Sequence, residues 1–410
     1  MVFTPMRLAR TCLLLFGAAL VTSRGLFAQQ VLGDSVLRPA PIAADQLLVR
    51  LQIDPRYAQP EARLFTTPRS VKALYVNAWA FGSSKLWHLM RLADSTEINA
   101  FVIDVKDDTG CLLYPSAVPT AQEIGANDCV RTRSIRARLD SVLAHGIYPI
   151  ARIVVAKDPR LASHKPQWSV QSRAGGQWRD RINIAWVDAY NDSVWIYSSQ
   201  IAAEAVRLGF AEVQFDYVRF PDEPRERLAT AIFPARRRGE SQREAVREHL
   251  ALLKSRLGPL GVPLTFDIFG LTASATDDLG IGQVWEDFTR VADVVLPMVY
   301  PSHYYRGAFG FQHPNAEPYR VVYHALREAL TRSHASAGAA EIRPYLQAFT
   351  LGRRLPRYTP FEIREEIRAA ETLGIQSWVL WNPRSVYPRD ALRPYRTTYH
   401  AAGALSGGGE

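Results

Sequence analysis

The chain has 410 residues, 47% of them hydrophobic and 22% charged, enough apolar material for a large core and inconsistent with a disordered or fibrous chain. The formal charge is +9, but the Arg residues that supply most of it are scattered. The densest run, Arg236-Arg237-Arg238, is followed by Glu240, Arg243, Glu244, Arg247 and Glu248, and mixed signs at that spacing describe a solvated helix face, not a nucleic-acid stripe.

At the N-terminus, Arg7 and Arg10 precede the apolar stretch 12–21 (CLLLFGAALV), and Leu26-Phe27-Ala28 offers a small residue before a cut that leaves Gln29 first. This pattern predicts an export signal over residues 1–28, too short to span a bilayer. The expected destination is periplasmic or extracellular, with no stable membrane insertion after cleavage. Removing the signal removes Arg7, Arg10 and Arg24, so the formal charge falls from +9 to about +6. Residues 29–69 carry several Pro and no strong period, as in an arm or linker lying on the domain.

Beyond residue 70 one pattern recurs. A short β-branched or apolar run ends in polar residues, a helical stretch follows, and the next run begins. The runs are 71–78 (VKALYVNA), 101–107 (FVIDVKD), 148–156 (YPIARIVVA), 212–220 (EVQFDYVRF), 263–269 (PLTFDIF), 293–300 (DVVLPMVY), 343–349 (RPYLQAF) and 377–382 (SWVLWN). Amphipathic stretches at 84–95, 132–145, 188–208, 241–257 and 359–373 lie between them, and Gly146, Gly209, Gly261 and Gly374 stand where a helix ends and a strand begins. Short links between alternating strands and helices imply parallel strands. Eight units predict an α/β fold, a single-domain (β/α)8 TIM barrel over 70–398 with a flexible tail at 399–410. An open doubly wound sheet is the alternative, but no glycine-rich phosphate loop follows the first strand. Two cysteines remain in the mature chain, Cys111 and Cys129, 18 apart in one loop-like segment. In an oxidising compartment a disulfide between them is the preferred reading, two free thiols the other.

In such a barrel, chemistry sits at the C-terminal ends of the strands, where residues two apart share a face. Asp104 and Lys106 end the second strand and are expected to share its inward face. The fourth carries Gln214 and Asp216, with Arg219 just beyond; the fifth carries Asp267. Three acids converging on one rim beside cations point to a functional site, because a lone carboxylate inside a strand is costly. Hydrolysis of a glycosidic bond needs one ionised and one protonated carboxyl. Asp216, Asp267 and Asp104 are the catalytic candidates. The rim is also aromatic: Trp79, Trp168, Trp178, Trp186, Tyr300, Tyr304 and Trp381 lie at or beyond strand ends, and flat faces suit sugar rings. Lys106, Arg219, Tyr300, His303, Gln347, Trp381, Asn382 and Trp79 are the candidate sugar-binding residues, and 157–187, with its three Trp, is expected to wall a groove. No HExxH, paired-cysteine, GxSxG or Walker motif occurs, so nothing calls for a metal or cofactor.

These stretches resemble the DUF4015 group, a family of barrel proteins regarded as glycoside hydrolases and distantly related to the α-amylase-like barrels. The resemblance spans about 70–395 and rests on YVNAWAFGS at 75–83, VIDVKDDTG at 102–110, VQFDYVRFP at 213–221, DIFGL at 267–271, DDLGIGQ at 277–283, PMVYPSHY at 297–304, RPYLQAFT at 343–350 and WVLWNP at 378–383. It implies a barrel acting on carbohydrate. In the wider α-amylase-like group a strand-4 Asp is the nucleophile and a strand-5 acid the proton donor, roles that fall by position on Asp216 and Asp267. Two departures stand out: the strand-5 acid is Asp instead of Glu, and Gln214 occupies the place of an Arg. Arg219 is expected to take over that charge, with Asp104, Glu223 and Glu286 as alternative acids. The rival expectation is an inactive barrel that binds cell-wall or extracellular glycan with the same rim. Export and scattered Arg argue against a nucleic-acid partner.

Overall fold

The computed structural model describes residues 66–336, 339–352 and 356–395; the expected export signal, most of the arm and the tail lie outside them. Eight parallel strands form the centre: Lys72–Val76 (β1), Ala100–Lys106 (β2), Tyr148–Val154 (β3), Glu212–Asp216 (β4), Leu264–Phe269 (β5), Val294–Met298 (β6), a seventh in two pieces, Glu341–Ile342 and Tyr345–Gln347 (β7), and Trp378–Trp381 (β8). Each pairs with the next, and β8 returns to β1 with Lys72 opposite Trp378 and Leu74 opposite Leu380. The sheet is closed, a (β/α)8 barrel as the alternation predicts.

Helices Lys85–Asp94 (α1), Ile135–Ala144 (α2), Asp192–Leu208 (α3), Gln242–Leu257 (α4), Trp285–Thr289 (α5), Pro318–His334 (α6) and Pro360–Thr372 (α7) alternate with the strands. Their ends follow local chemistry. Ser241 with Glu244, and Thr359 with Glu362, form reciprocal capping boxes that satisfy free backbone N–H groups at the starts of α4 and α7. Gly209 closes α3 at φ 117°, a left-handed conformation that favours a residue without Cβ. None of the described helices is long and apolar enough to cross a membrane.

Alternation along the strands makes two apolar layers. Leu74, Val76, Phe101, Ile103, Ile153 and Phe266 face the helices; Ala73, Tyr75, Val102, Ile150, Leu296 and Val379 fill the barrel. Deep inside, the Arg343 guanidinium meets Glu212 at 2.6 Å, both essentially unexposed. No α-helix follows β8 among the described residues. The chain passes through a short turn at Arg389–Ala391 and pins itself to the link between α1 and β2, with Arg393 N donating to Glu97 Oε1 at 2.9 Å and Tyr395 N to Ser95 O at 3.2 Å. Cys111 and Cys129 are joined in a disulfide that closes the loop after β2.

Two strand ends differ from the sequence reading. The fourth run stops at Asp216 because Tyr217 takes φ 54°, a left-handed backbone that no strand contains and that is costly for a bulky side chain. In β2 the register slips between Asp104, opposite Arg152, and Lys106, opposite Ile153. The irregularity turns Lys106 outward, so it does not share the face of Asp104 as expected.

Candidate active site

The inward positions of β1 to β5 place Tyr75, Asp104, Arg152, Asp216 and Asp267 at the C-terminal mouth. Arg152 is the hub. Its Nη1 donates to Asp104 Oδ1 at 2.5 Å, its Nη2 is ion-paired with Asp216 Oδ2, and its Nε lies 3.7 Å from Asp267 Oδ2. Every member is at least nine-tenths buried. A cation among three buried carboxyls removes most of the mutual repulsion that would otherwise force protons onto all of them. The hydroxyl of Tyr75 donates to the other oxygen of Asp104 at 2.5 Å. Burial nevertheless pushes Asp104 up to about 6, against the opposing pull of Arg152 and the Tyr75 hydrogen bond.

Asp216 Oδ1 also accepts the backbone N–H of Tyr217 at 2.6 Å. The left-handed turn at Tyr217 is thereby tied to the carboxylate, which fixes the direction of Asp216. Asp267 is held differently. Gln214 Nε2 donates to its Oδ2 at 3.0 Å and to the Tyr345 hydroxyl at 2.6 Å, while its Oδ1 is buried and meets no donor. Both carboxyls face the Arg152 guanidinium, and the charge of Asp216 acts on Asp267. Burial first, and then the charge of Asp216, hold the Asp267 pKa well above the usual carboxylate range, Arg152 opposing. Burial and a neighbouring negative charge both favour the protonated form of Asp267.

A cavity of about 560 Å³ opens over this pair. Its wall includes Arg152, Asp216, Asp267, Tyr217, Arg219, Phe269, Tyr300, His303, Tyr345 and Trp381. The Trp381 ring stacks on Tyr75 at 3.8 Å across the junction of β8 with β1, and the Arg152 guanidinium lies 5.1 Å from the Trp381 ring. Gly270 belongs to the floor. A Cβ there would fall 2.5 Å from the Met298 carbonyl oxygen and 2.8 Å from the Tyr304 hydroxyl, so only glycine lets β5 and β6 meet this closely.

Of the residues expected from the sequence, Asp216, Asp267, Arg219, Tyr300, His303 and Trp381 line the cavity. Asp104 does not; it lies beneath Arg152 and acts on the cavity through that side chain. Lys106 is fully buried, with Nζ 2.8 Å from Asp158 Oδ2. Gln347 ties loops together, accepting from Ser302 N at 3.1 Å and donating to Phe349 O at 3.0 Å. Asn382 does likewise, donating to Ala348 O at 2.6 Å. Trp79 is 66% exposed, stacked under Arg131 at 3.6 Å, and lies outside the cavity wall. Of the two alternative acids beyond the strands, Glu223 accepts the backbone N–H of Arg181 at 3.2 Å and Glu286 is clamped by Arg332 on α6 at 2.8 and 2.6 Å; neither lines the cavity. The segment 157–187 buries Trp178 and Trp186 and presents Arg181 to the cavity in their place. The cation paired with Asp216 is Arg152, from the neighbouring strand, and not Arg219. Sequence reasoning passed over Arg152 because its strand reads as an apolar run; its position, two and four residues after the inward Ile150 and Tyr148, was the available signal.

A closed parallel barrel whose mouth gathers acids, one arginine hub and flat rings around a single cavity is a glycosidase-like barrel. The chain belongs to the DUF4015 family: the family model described as "Putative glycosyl hydrolase domain" matches residues 73–387. Similar solved structures include a hypothetical protein from Ruminiclostridium thermocellum, 38% identical, with 50% of this chain and 98% of that one covered at a TM-score of 0.43. The glycoside hydrolase domain of PgaB (BpsB) from Bordetella bronchiseptica is 14% identical, with 79% and 99% covered at a TM-score of 0.53. The glycoside hydrolase domain of PelA from Pseudomonas aeruginosa is 15% identical, with 80% and 98% covered at 0.42. At such identity the likeness to PgaB speaks for the fold. No curated protein matches the chain.

Proposed function

We propose that this protein is an exported glycoside hydrolase that cleaves a poly- or oligosaccharide with Asp216 as the ionised carboxylate and Asp267 as the acid. The observation that carries the reading is the pair of unlike acids that line the cavity beside Arg152. Asp216 is ion-paired with Arg152 and directed by its own backbone turn, while Asp267, buried and beside that charge, keeps its proton. One group is therefore ready to attack and the other to donate, the division of labour that bond cleavage requires.

The proton on Asp267 goes to the departing glycosidic oxygen as the bond to the anomeric carbon breaks. Asp216 supplies the electron pair to that carbon, and water later releases the sugar. Tyr75, Asp104 and Arg152 hold the arrangement. Trp381 and Tyr300 offer flat apolar surface to the sugar ring.

The test uses two variants and two substrate types. D216N is expected to abolish cleavage of polysaccharides and of dinitrophenyl glycosides alike. D267N is expected to lose polysaccharide cleavage but retain much of its action on the dinitrophenyl glycoside, whose leaving group needs no proton. Should wild type and D216N bind glycans equally and neither cut any member of a broad panel, a glycan-binding barrel replaces the hydrolase.

Export is supported by the charged and apolar pattern over 1–28 and by the Cys111–Cys129 disulfide, a bond at home in an oxidising compartment. Recovery of the chain from the periplasm or medium with Gln29 as its first residue is the expected result; cytoplasmic protein that still begins at Met1 would overturn it.

A further inference from the structure

Arg219 has no function in the cleavage chemistry described above, and its surroundings are unusual for a buried cation. It is 8% exposed and lines the cavity. The other two Arg buried inside the barrel each face a carboxylate directly, Arg152 with Asp104 and Asp216, Arg343 with Glu212. Arg219 forms no ion pair among the described residues. Its guanidinium is boxed by the rings of Phe269 at 4.6 Å, Tyr217 at 4.7 Å and Trp186 at 5.3 Å. Nη1 donates to the Phe220 carbonyl oxygen at 2.9 Å, the sole protein acceptor it meets among the described residues. None of its remaining N–H groups is sealed away from solvent without a partner, and the residue lines the cavity. The nearest carboxylates act on it only through space: Asp216, already engaged by Arg152, and Asp222, exposed on the rim.

Burying an unpaired charge is costly. Three aromatic faces offset part of that cost and hold the planar fork still. A rigid, partly desolvated guanidinium with free donors pointing into a ligand cavity matches an anionic group, to which it makes paired, charge-assisted hydrogen bonds. Arg181, from the segment between β3 and α3, lines the same cavity, its guanidinium 3.9 Å from Glu223.

We infer that Arg219 is the anchor of an anion subsite, and that the glycan this cavity accepts carries an acidic substituent, a uronic-acid carboxylate or a sulfate ester, on the sugar held at or next to Asp216. This rests on the hydrolase reading for its placement on a substrate, but the subsite itself is a binding property and is measured without turnover.

The experiment is equilibrium binding by calorimetry with wild type, R219M and R219K. The probes are tetrasaccharides of glucuronate, galacturonate and mannuronate, the same oligomers after carboxyl reduction to neutral sugars, and a 6-sulfated neutral tetrasaccharide. Wild type is expected to bind at least one acidic probe roughly 10- to 100-fold more tightly than its neutral counterpart, the range for hydrogen bonds to a charged group. Preference for the carboxylate or for the sulfate probe identifies the substituent. R219M is expected to erase the ratio and R219K to keep part of it, since Lys retains charge but not the fork. The ratio is expected to persist in about 1 M salt, where the screening length is about 3 Å and exposed surface charges are silenced. No acidic probe binding better than its neutral counterpart in wild type overturns the inference whatever the variants do, as does a preference unchanged in a folded R219M. Cleavage of neutral glycans without any acidic preference would leave the hydrolase standing and remove the subsite alone. Acidic binding lost in R219M, with no glycan cut, would leave the subsite standing and remove the hydrolase.

Discussion

Replacing Arg152 with Met would strand two carboxylates. Arg152 contacts Asp104 and Asp216 directly and approaches Asp267 at 3.7 Å, with all four side chains no more than 7% exposed. Without the guanidinium, the folded protein either buries a bare charge or takes up a proton. Protonation sets the upper bound. For a carboxyl whose unfolded pKa is about 3.9, holding the proton at pH 7 costs about 4 kcal/mol, and at pH 5 about 1.5 kcal/mol. The stranded group has a folded pKa above its unfolded one, so the stability it leaves intact is present at low pH and lost as the pH rises. R152M is therefore expected to be about 4–5 kcal/mol less stable than wild type at pH 7, with the gap narrowing to roughly 1.5 kcal/mol at pH 5, because Asp104, already pushed up to about 6 in wild type, carries its proton there in both proteins. Urea unfolding of both proteins at the two pH values measures it. A gap below about 1 kcal/mol, or one that does not change with pH, would refute the hub.

Four further outcomes are expected. Because the raised pKa keeps Asp267 protonated beyond the normal carboxylate range, kcat/KM should fall on the alkaline side as that proton is lost, and D267N acting on a dinitrophenyl glycoside should lack this limb. K106M leaves Asp158 buried without its cation and should cost about 3–5 kcal/mol in urea unfolding, with glycan affinity unaltered once the protein is folded. Replacing both Cys111 and Cys129 with Ser releases a loop spanning a separation of 18 residues and should lower stability by about 3 kcal/mol, an effect that reduction of wild type reproduces. G270A drives a Cβ into the Met298 carbonyl; a loss of about 1–3 kcal/mol is expected in thermal melts, together with weaker glycan binding as β5 and β6 are forced apart.

The barrel was legible because each strand announces itself twice, once by its apolar run and again by the polar residues that end it. The runs at 101–107 and 263–269 lie within a residue or two of β2 and β5, and Gly209 does end α3 in the left-handed conformation assigned to it. Asp216 and Asp267 were legible for the same reason: an acid in an apolar strand needs a partner or a purpose. Arg152 was hidden because its strand, YPIARIVVA, reads as an apolar run. Its alternation with Tyr148 and Ile150 carried the information, but only knowledge that Asp104 lies opposite across the strand pair makes the cation meaningful. Lys106 was misplaced because strict alternation fails at a register slip, and no residue type in Asp104-Val105-Lys106 marks one. Gln347 and Asn382 stand at strand ends but spend their amides on loop carbonyls, a choice set by loop geometry that residue spacing does not encode. Trp79 went astray similarly: the short helix Ala78–Gly82 after β1 carries it onto the outer surface, under Arg131.

The junction of β8 with β1 has a consequence for how the molecule comes into being. The hydrogen bond from Val71 N to Ser377 Oγ joins positions 306 residues apart, and the Tyr75–Trp381 stack, one face of the cavity, bridges the same seam. Neither exists until nearly the whole polypeptide has been synthesised. Contacts this distant in the chain are slow to find, and intermediates with an open sheet edge expose unpaired backbone. The cavity mouth is thus a late product of folding: a nascent chain halted before Ser377 has every acid of the site but no closed ring to hold them.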